Sequence, residues 1–289
     1  MQINQTLNIR SNWVRLLLFF FLWLLSSAIF YAFLVLPIYP ESLYFSSIEF
    51  DRNFNNDYLL LLLIQIASLF GTIFSFWYMK RKIENGLFDI VQKFNFEQLG
   101  KGCVIGLIII IIWLSIMIAS GLISFNFSTT DKLPVSILLF LIVAITEEVF
   151  FRGYVLTNLL ESMSYRLAIV CSSFIFALVH VSNAHFGWIG FINIFLFGIL
   201  TALFYLENNN LSIAIGIHFI WNLAQNLFGF AVSGHKLAGL FSLRYHSLNV
   251  NLTGGKFGIE GSLLLTPIIL VAIFVNLNKS SVQKMINNQ

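Results

Sequence analysis

Residues 134–160 read PVSILLFLIVAITEEVFFRGYVLTNLL. A helix needs about 20 predominantly apolar residues to cross a hydrocarbon core of roughly 30 Å. This stretch meets that need, and it carries Glu147, Glu148 and Arg152 in its middle. An ionisable side chain at mid-membrane costs at least about 2.5–3.5 kcal/mol on insertion scales. The segment therefore predicts a spanning helix whose charged groups face the interior of a bundle and have a purpose there.

The rest of the chain agrees. It has 289 residues, of which 58% are hydrophobic and 10% charged, whereas soluble domains are about 25% charged. That composition excludes an ordinary soluble globular protein, and it excludes a disordered chain, which needs low hydrophobicity and high net charge. Sparse turn signals and the lack of period-two alternation exclude a membrane barrel. The net charge of +3 leaves no basic surface for nucleic acid. Cys103 and Cys171 both fall inside apolar runs, as small hydrophobes do, and outline no disulfide framework.

The expected fold is an all-α, polytopic transmembrane bundle of about eight spans with a membrane-embedded polar cavity. The spans are expected near 14–36, 58–78, 103–123, 134–160, 165–182, 188–206, 211–231 and 262–277. The first has too long an apolar run for a signal peptide and no small-residue cleavage site after it, so it reads as a retained span. Three units follow: residues 1–133 with three spans, a core at 134–278, and a polar tail at 279–289. Between Lys80 and Lys101, Ile83, Leu87, Ile90, Val91 and Phe94 recur at helical spacing among charged residues. This predicts an amphipathic helix on the membrane surface.

Basic residues set the orientation. With the N-terminus inside, inner segments hold Arg10, Arg15, Lys80, Arg81, Lys82, Lys93, Lys101, Arg166, Lys279 and Lys284. Outer segments hold Arg52, Lys132, Lys236, Arg244 and Lys256, a balance of ten to five. Both termini are thus expected in the cytoplasm, and the chain in a bacterial plasma membrane, given its Ile, Asn, Phe and Lys bias.

Three polar groupings fall inside expected spans. On a helix Glu148 and Arg152 stand one turn apart and can pair, leaving Glu147, about 100° around, for other work. His180 closes a run that begins at Phe176. His218 and Asn222 share a face four residues apart, where they can donate to one developing oxyanion, or His218 can ligate a metal. His185, His235 and His246 fall in loops. Gln65, Asn193 and Gln225 read as interhelical packing groups.

Glu147-Glu148-x-x-x-Arg152, Phe176-x-x-x-His180 and His218-x-x-x-Asn222, in that order, resemble the signatures of the CPBP intramembrane endopeptidases. This family takes in CAAX prenyl proteases and bacteriocin-processing proteins. The stretch Leu252 to Ser262 is similar to the loop that many bacterial members carry before their last span. The resemblance covers roughly residues 134–278 and implies hydrolysis of a peptide bond in a membrane-associated or precursor peptide.

It further implies that Glu147 activates a water with help from His180, and that His218 and Asn222 stabilise the oxyanion. Glu148, Arg152 and Phe176 would be supporting residues. It leaves a divalent metal such as zinc open, with Glu147, His180 and His218 as its ligands, and implies a conical cavity facing the cytoplasm. Two rivals use the same residues: a transporter or proton relay, and a non-catalytic immunity or scaffolding protein. Upright helices would separate Glu147 from His180 by about 10 Å in depth at 1.5 Å per residue, which tilt, a short fifth helix or an open cavity would have to reconcile.

Overall fold

The computed structural model describes residues 11–43, 57–84, 86, 94–247 and 249–279. Eight principal helices follow one another: α1 (Asn12–Leu34), α2 (Tyr58–Tyr78), α3 (Phe96–Ala119), α4 (Leu133–Glu148), α5 (Tyr165–Val179), α6 (Trp188–Asn208), α7 (Leu211–Leu227) and α8 (Leu265–Leu277). A helix thus stands at each expected place. Among the described residues, five helical segments are long and apolar enough to cross a membrane: those that begin at Asn12, Tyr58, Phe96, Leu133 and Trp188. α5 and α8 are shorter, with 15 and 13 residues, and α7 has 17. The outward faces are apolar, with Leu17, Phe21 and Phe33 exposed on α1, as an integral membrane protein requires.

Local chemistry sets several helix ends. Asp57 caps α2 by accepting from the Leu59 and Leu60 amides. Asn95 caps α3 through the Gln98 amide, so that helix starts at Phe96, seven residues before the expected 103. Most of the amphipathic helix expected between Lys80 and Lys101 lies outside the described residues. Its flanks belong to the π-helical turn Met79–Ile83 and to α3.

The fold is mostly helical, as expected, and carries one small addition. Ile123–Phe127 (β1) and Phe241–Tyr245 (β2) form a two-stranded antiparallel ribbon that pairs Ile123 with Tyr245 and Phe127 with Phe241. β1 follows α3 after the short Ser120-Gly121 turn, and at five residues its alternation is too brief to stand out in the sequence.

Helices in lipid associate through close packing rather than through exclusion of water, and small residues permit it. α3 and α7 meet along Gly102, Gly106 and Gly216. A Cβ on Gly102 would lie 2.1 Å from the Ile213 carbonyl oxygen, and one on Gly216 2.1 Å from that of Leu99. Both obstacles are backbone, which cannot step aside as a flexible side chain would. This seam fixes the helix that carries His218 and Asn222, and Gly102-x-x-x-Gly106 is its sequence signal. Gly216→Leu is therefore expected to abolish a monodisperse, detergent-stable protein, whereas Gly100→Leu, with open space around it, should not. Size-exclusion profiles of the two variants check this.

On the other side, Ser26 of α1 donates to the Gly71 carbonyl and shares a hydrogen bond with Ser75 of α2. Phe19 stacks on Tyr154 at 3.8 Å between ring centroids, which ties α1 to the lower part of the α4 segment.

Candidate active site

After Glu148 the winding of α4 changes. Val149–Leu156 is π-helical and Thr157–Leu160 returns to α. Short π segments are rare and are often found at functional positions. Here the wider turn follows directly on the two carboxylates, and all eight of its residues are buried.

Glu148 and Arg152 form the buried pair that their spacing predicts. Arg152 Nη1 donates to Glu148 Oε1 at 3.1 Å, and Nη2 donates to the Gly198 carbonyl on α6. Glu148 has a second partner that the sequence did not reveal. His218 Nδ1 lies 2.8 Å from the same Oε1, so the carboxylate bridges α4 to α7 and turns the imidazole so that Nε2 faces the other way.

His180 is held by different means. α5 ends at this residue, and the His180 amide bonds back to Ala177. The last carbonyls of a helix lack intrahelical donors, and the Phe176 carbonyl instead accepts from His180 Nδ1 at 2.7 Å. A carbonyl can only accept, so the proton sits on Nδ1 and Nε2 is the free nitrogen. The Phe176 ring, almost fully buried, lies 4.5 Å from the Arg152 guanidinium carbon, a cation–π contact that packs the arginine against α5. The four-residue spacing of Phe176 and His180 thus does two jobs, one through the backbone and one through the ring.

Both Nε2 atoms converge on Glu147. Its Oε2 is 3.9 Å from His180 and 3.8 Å from His218, and it has no hydrogen-bond partner among the described residues. The expected depth mismatch disappears. Counted from the 161–164 turn, Glu147 lies about 20 Å up the α4 segment and His180 about 22 Å up α5, at 1.5 Å per residue. The mismatch came from assuming that both helices fill the bilayer. In fact α5 is short and the helical segment Leu133–Leu160 has 28 residues.

These groups line a cavity of about 250 Å3, with Glu147, Phe176, His180, His218 and Asn222 all in its wall. Asn222 lies one helical turn from His218, as the spacing predicts. Gln65 lines the cavity too, and so does His235, which sequence reasoning had set aside as a loop histidine. His185 and His246 lie outside its lining.

Glu260, also in the wall, was missed altogether. Its Oε1 accepts from Trp221 Nε1 and Gln225 Nε2, and its Oε2 from the amide and hydroxyl of Ser233. The four donors hold a buried carboxylate and clamp the 228–262 loops onto α7, one turn beyond the catalytic candidates. Asn193 completes the clamp by donating to the Glu260 and Ser262 carbonyls and accepting from Thr266. Gln225 and Asn193 are thus packing groups as expected; both serve the loop at Glu260, and Asn193 also joins α6 to α8 through Thr266.

Among the described residues no group of three or more His, Cys, Asp or Glu is disposed to hold a metal ion, and that includes Glu147, His180 and His218.

The helices and this buried acid–imidazole cluster place the chain among polytopic helical membrane proteins with a polar site inside the bundle. Residues 129–224 match the family model described as Rce1-like, type II CAAX prenyl endopeptidase Rce1-like, the family grouping that the three motifs resemble. The matched third of the chain contains Glu147, Glu148, Arg152, Phe176, His180, His218 and Asn222, and at family level it supports an intramembrane CAAX-type protease. No curated protein and no solved structure matches the chain.

Proposed function

We propose that this protein is an intramembrane endopeptidase that hydrolyses a peptide bond with a water activated by Glu147 and His180. The observation that carries the reading is the convergence of two imidazole Nε2 atoms on one unpartnered carboxylate oxygen inside a cavity. The family match over the same residues supports it.

In this mechanism a water held between Glu147 Oε2 and His180 Nε2 gives a proton to Glu147 as its oxygen attacks the scissile carbonyl. His218, turned by its Nδ1 contact with Glu148, directs Nε2 to the developing oxyanion, and Asn222 donates beside it. Such a donor typically contributes about 3 kcal/mol. The carbon–nitrogen bond then breaks, and the proton on Glu147 passes to the leaving amine. Glu148 keeps His218 in position, and Arg152 balances the charge of Glu148. No acyl-enzyme forms, because water is the nucleophile. The substrate is a membrane-associated or precursor peptide, and both termini of the protein lie in the cytoplasm.

His180→Ala should lower the cleavage rate about 100-fold or more, the usual range for a general acid–base partner. His246→Ala, whose Nε2 only meets Ser124 beside the ribbon, should retain the wild-type rate. Initial rates on a quenched-fluorescence peptide library in detergent test both. Equal rates for the two variants would remove His180 from the mechanism.

A further inference from the structure

The cavity and most of the basic residues occupy opposite ends of the bundle. At one end lie the start of α1, the end of the α2 segment, the 161–164 and 209–210 turns, and the end of α8. Ion pairs fasten that end together, with Arg15 on Glu161 at 2.6 Å and Lys279 on Glu207 at 2.7 Å. Among the described residues that end holds Arg15, Lys80, Arg81, Lys82, Lys101, Arg166 and Lys279, in its connections and adjoining helical ends. The opposite end, with the 120–132, 180–187 and 228–262 connections, holds four among the described residues, Lys132, Lys236, Arg244 and Lys256, and Arg152 is buried between the two.

The cavity lining comes from mid-depth and from the opposite end. Leu61 and Gln65 lie in the first two turns of α2, His180 at the end of α5, and Ile194 in the second turn of α6. Val232 and Ser233 come from the loop that follows α7. No lining residue comes from the basic end. Around this mouth the chain is also most elaborately folded, with the β1–β2 ribbon and the Glu260 clamp.

Cytoplasmic connections carry the excess of Lys and Arg in membrane proteins. Cytoplasmic termini and a cytoplasmic cavity mouth therefore cannot both hold in this chain, and the charge distribution decides between them. We infer that the cavity opens on the extracytoplasmic side, and that its substrate is an outward-facing stretch of a membrane-anchored or exported peptide rather than a cytoplasmic C-terminal motif. The substrate class rests on the protease reading above, whereas the direction of opening does not. The wall suits an extended peptide, with Leu61, Leu139 and Phe197 to take apolar side chains and Gln65, Asn183 and Ser233 to meet its backbone.

Single cysteines in a full-length Cys103→Ser/Cys171→Ser background test the direction. Ser182→Cys places a thiol in the exposed 180–187 turn, Gln65→Cys in the cavity, and Ser162→Cys in the exposed turn at the opposite end. A membrane-impermeant maleimide on intact cells should label Ser182→Cys and Gln65→Cys as fully as it does in permeabilised cells. Ser162→Cys should react only after permeabilisation. The reverse pattern, or a Gln65→Cys that reacts only after permeabilisation, overturns the inference.

A green fluorescent protein fused after Gln289, which matures only in the cytoplasm, reads the same orientation without any cysteine. Dark cells with normal amounts of the fusion would also overturn it. Cleavage by purified protein in detergent is indifferent to sidedness, so failure of the protease reading and failure of this inference are separate results.

Discussion

Glu147→Gln is expected to abolish peptide cleavage and to leave the fold intact. The amide would keep the size and one oxygen of the native side chain but could not take a proton from water. General-base catalysis contributes about 10²- to 10⁴-fold, and here the same group also returns the proton to the leaving amine, so the loss belongs at the upper end of that range. The fold should be indifferent because Glu147 Oε2 has no hydrogen-bond partner among the described residues to lose and the side chain is partly exposed to the cavity. The rate constant and the thermal midpoint in detergent, measured on one preparation, separate the two effects. A variant that lost both together would make Glu147 a structural residue.

Glu148 should behave in the opposite way. Its Oε1 holds both Arg152 and His218 in a site without solvent access. Removing one member of a buried ion pair costs about 3–5 kcal/mol, because the other charge is left unpaired. Glu148→Leu should therefore lower the thermal midpoint far more than Glu147→Gln does, and it should stop cleavage as well, since His218 is no longer oriented. The double variant Glu148→Leu/Arg152→Leu distinguishes the contributions. Replacing a whole buried pair by apolar groups is often neutral, so stability should largely return while activity does not. A double variant as unstable as the single one would show that Arg152 acts chiefly through its contacts with Gly198 and Phe176.

These two neighbours were distinguishable in the sequence only in part. The four-residue spacing announced the Glu148–Arg152 pair and left Glu147 over, because helical geometry is local. The bond from Glu148 to His218 spans 70 residues, and no periodicity records it. Glu260 was invisible for the same reason: its donors come from α7 and from the loop after it, and an acidic residue in a glycine-rich loop gives no sign of burial. The places of the helices were legible because about 20 apolar residues in a row have few alternatives. The π winding after Glu148 and the ribbon strand at Ile123–Phe127 were not, since a wider helical turn leaves no sequence period of its own and a five-residue strand gives too short an alternation to read. The depth of His180 was misjudged because an apolar stretch shows that a helix enters the bilayer but not how far it goes. Gly102-x-x-x-Gly106 has the form of a helix-packing motif, and the close approach of α3 to α7 shows what it is for.

If Glu147 and His180 activate a water, with His218 serving the oxyanion, the oxygen of that water must appear in the cleaved product. Incubating purified protein with a peptide library in H2¹⁸O, with mass spectrometry of the products, tests it most directly. The account predicts new peptide C-termini that carry ¹⁸O with wild-type protein, and none above background with Glu147→Gln. Products formed at equal rates by both proteins, or no products from the wild type on any peptide, would contradict it.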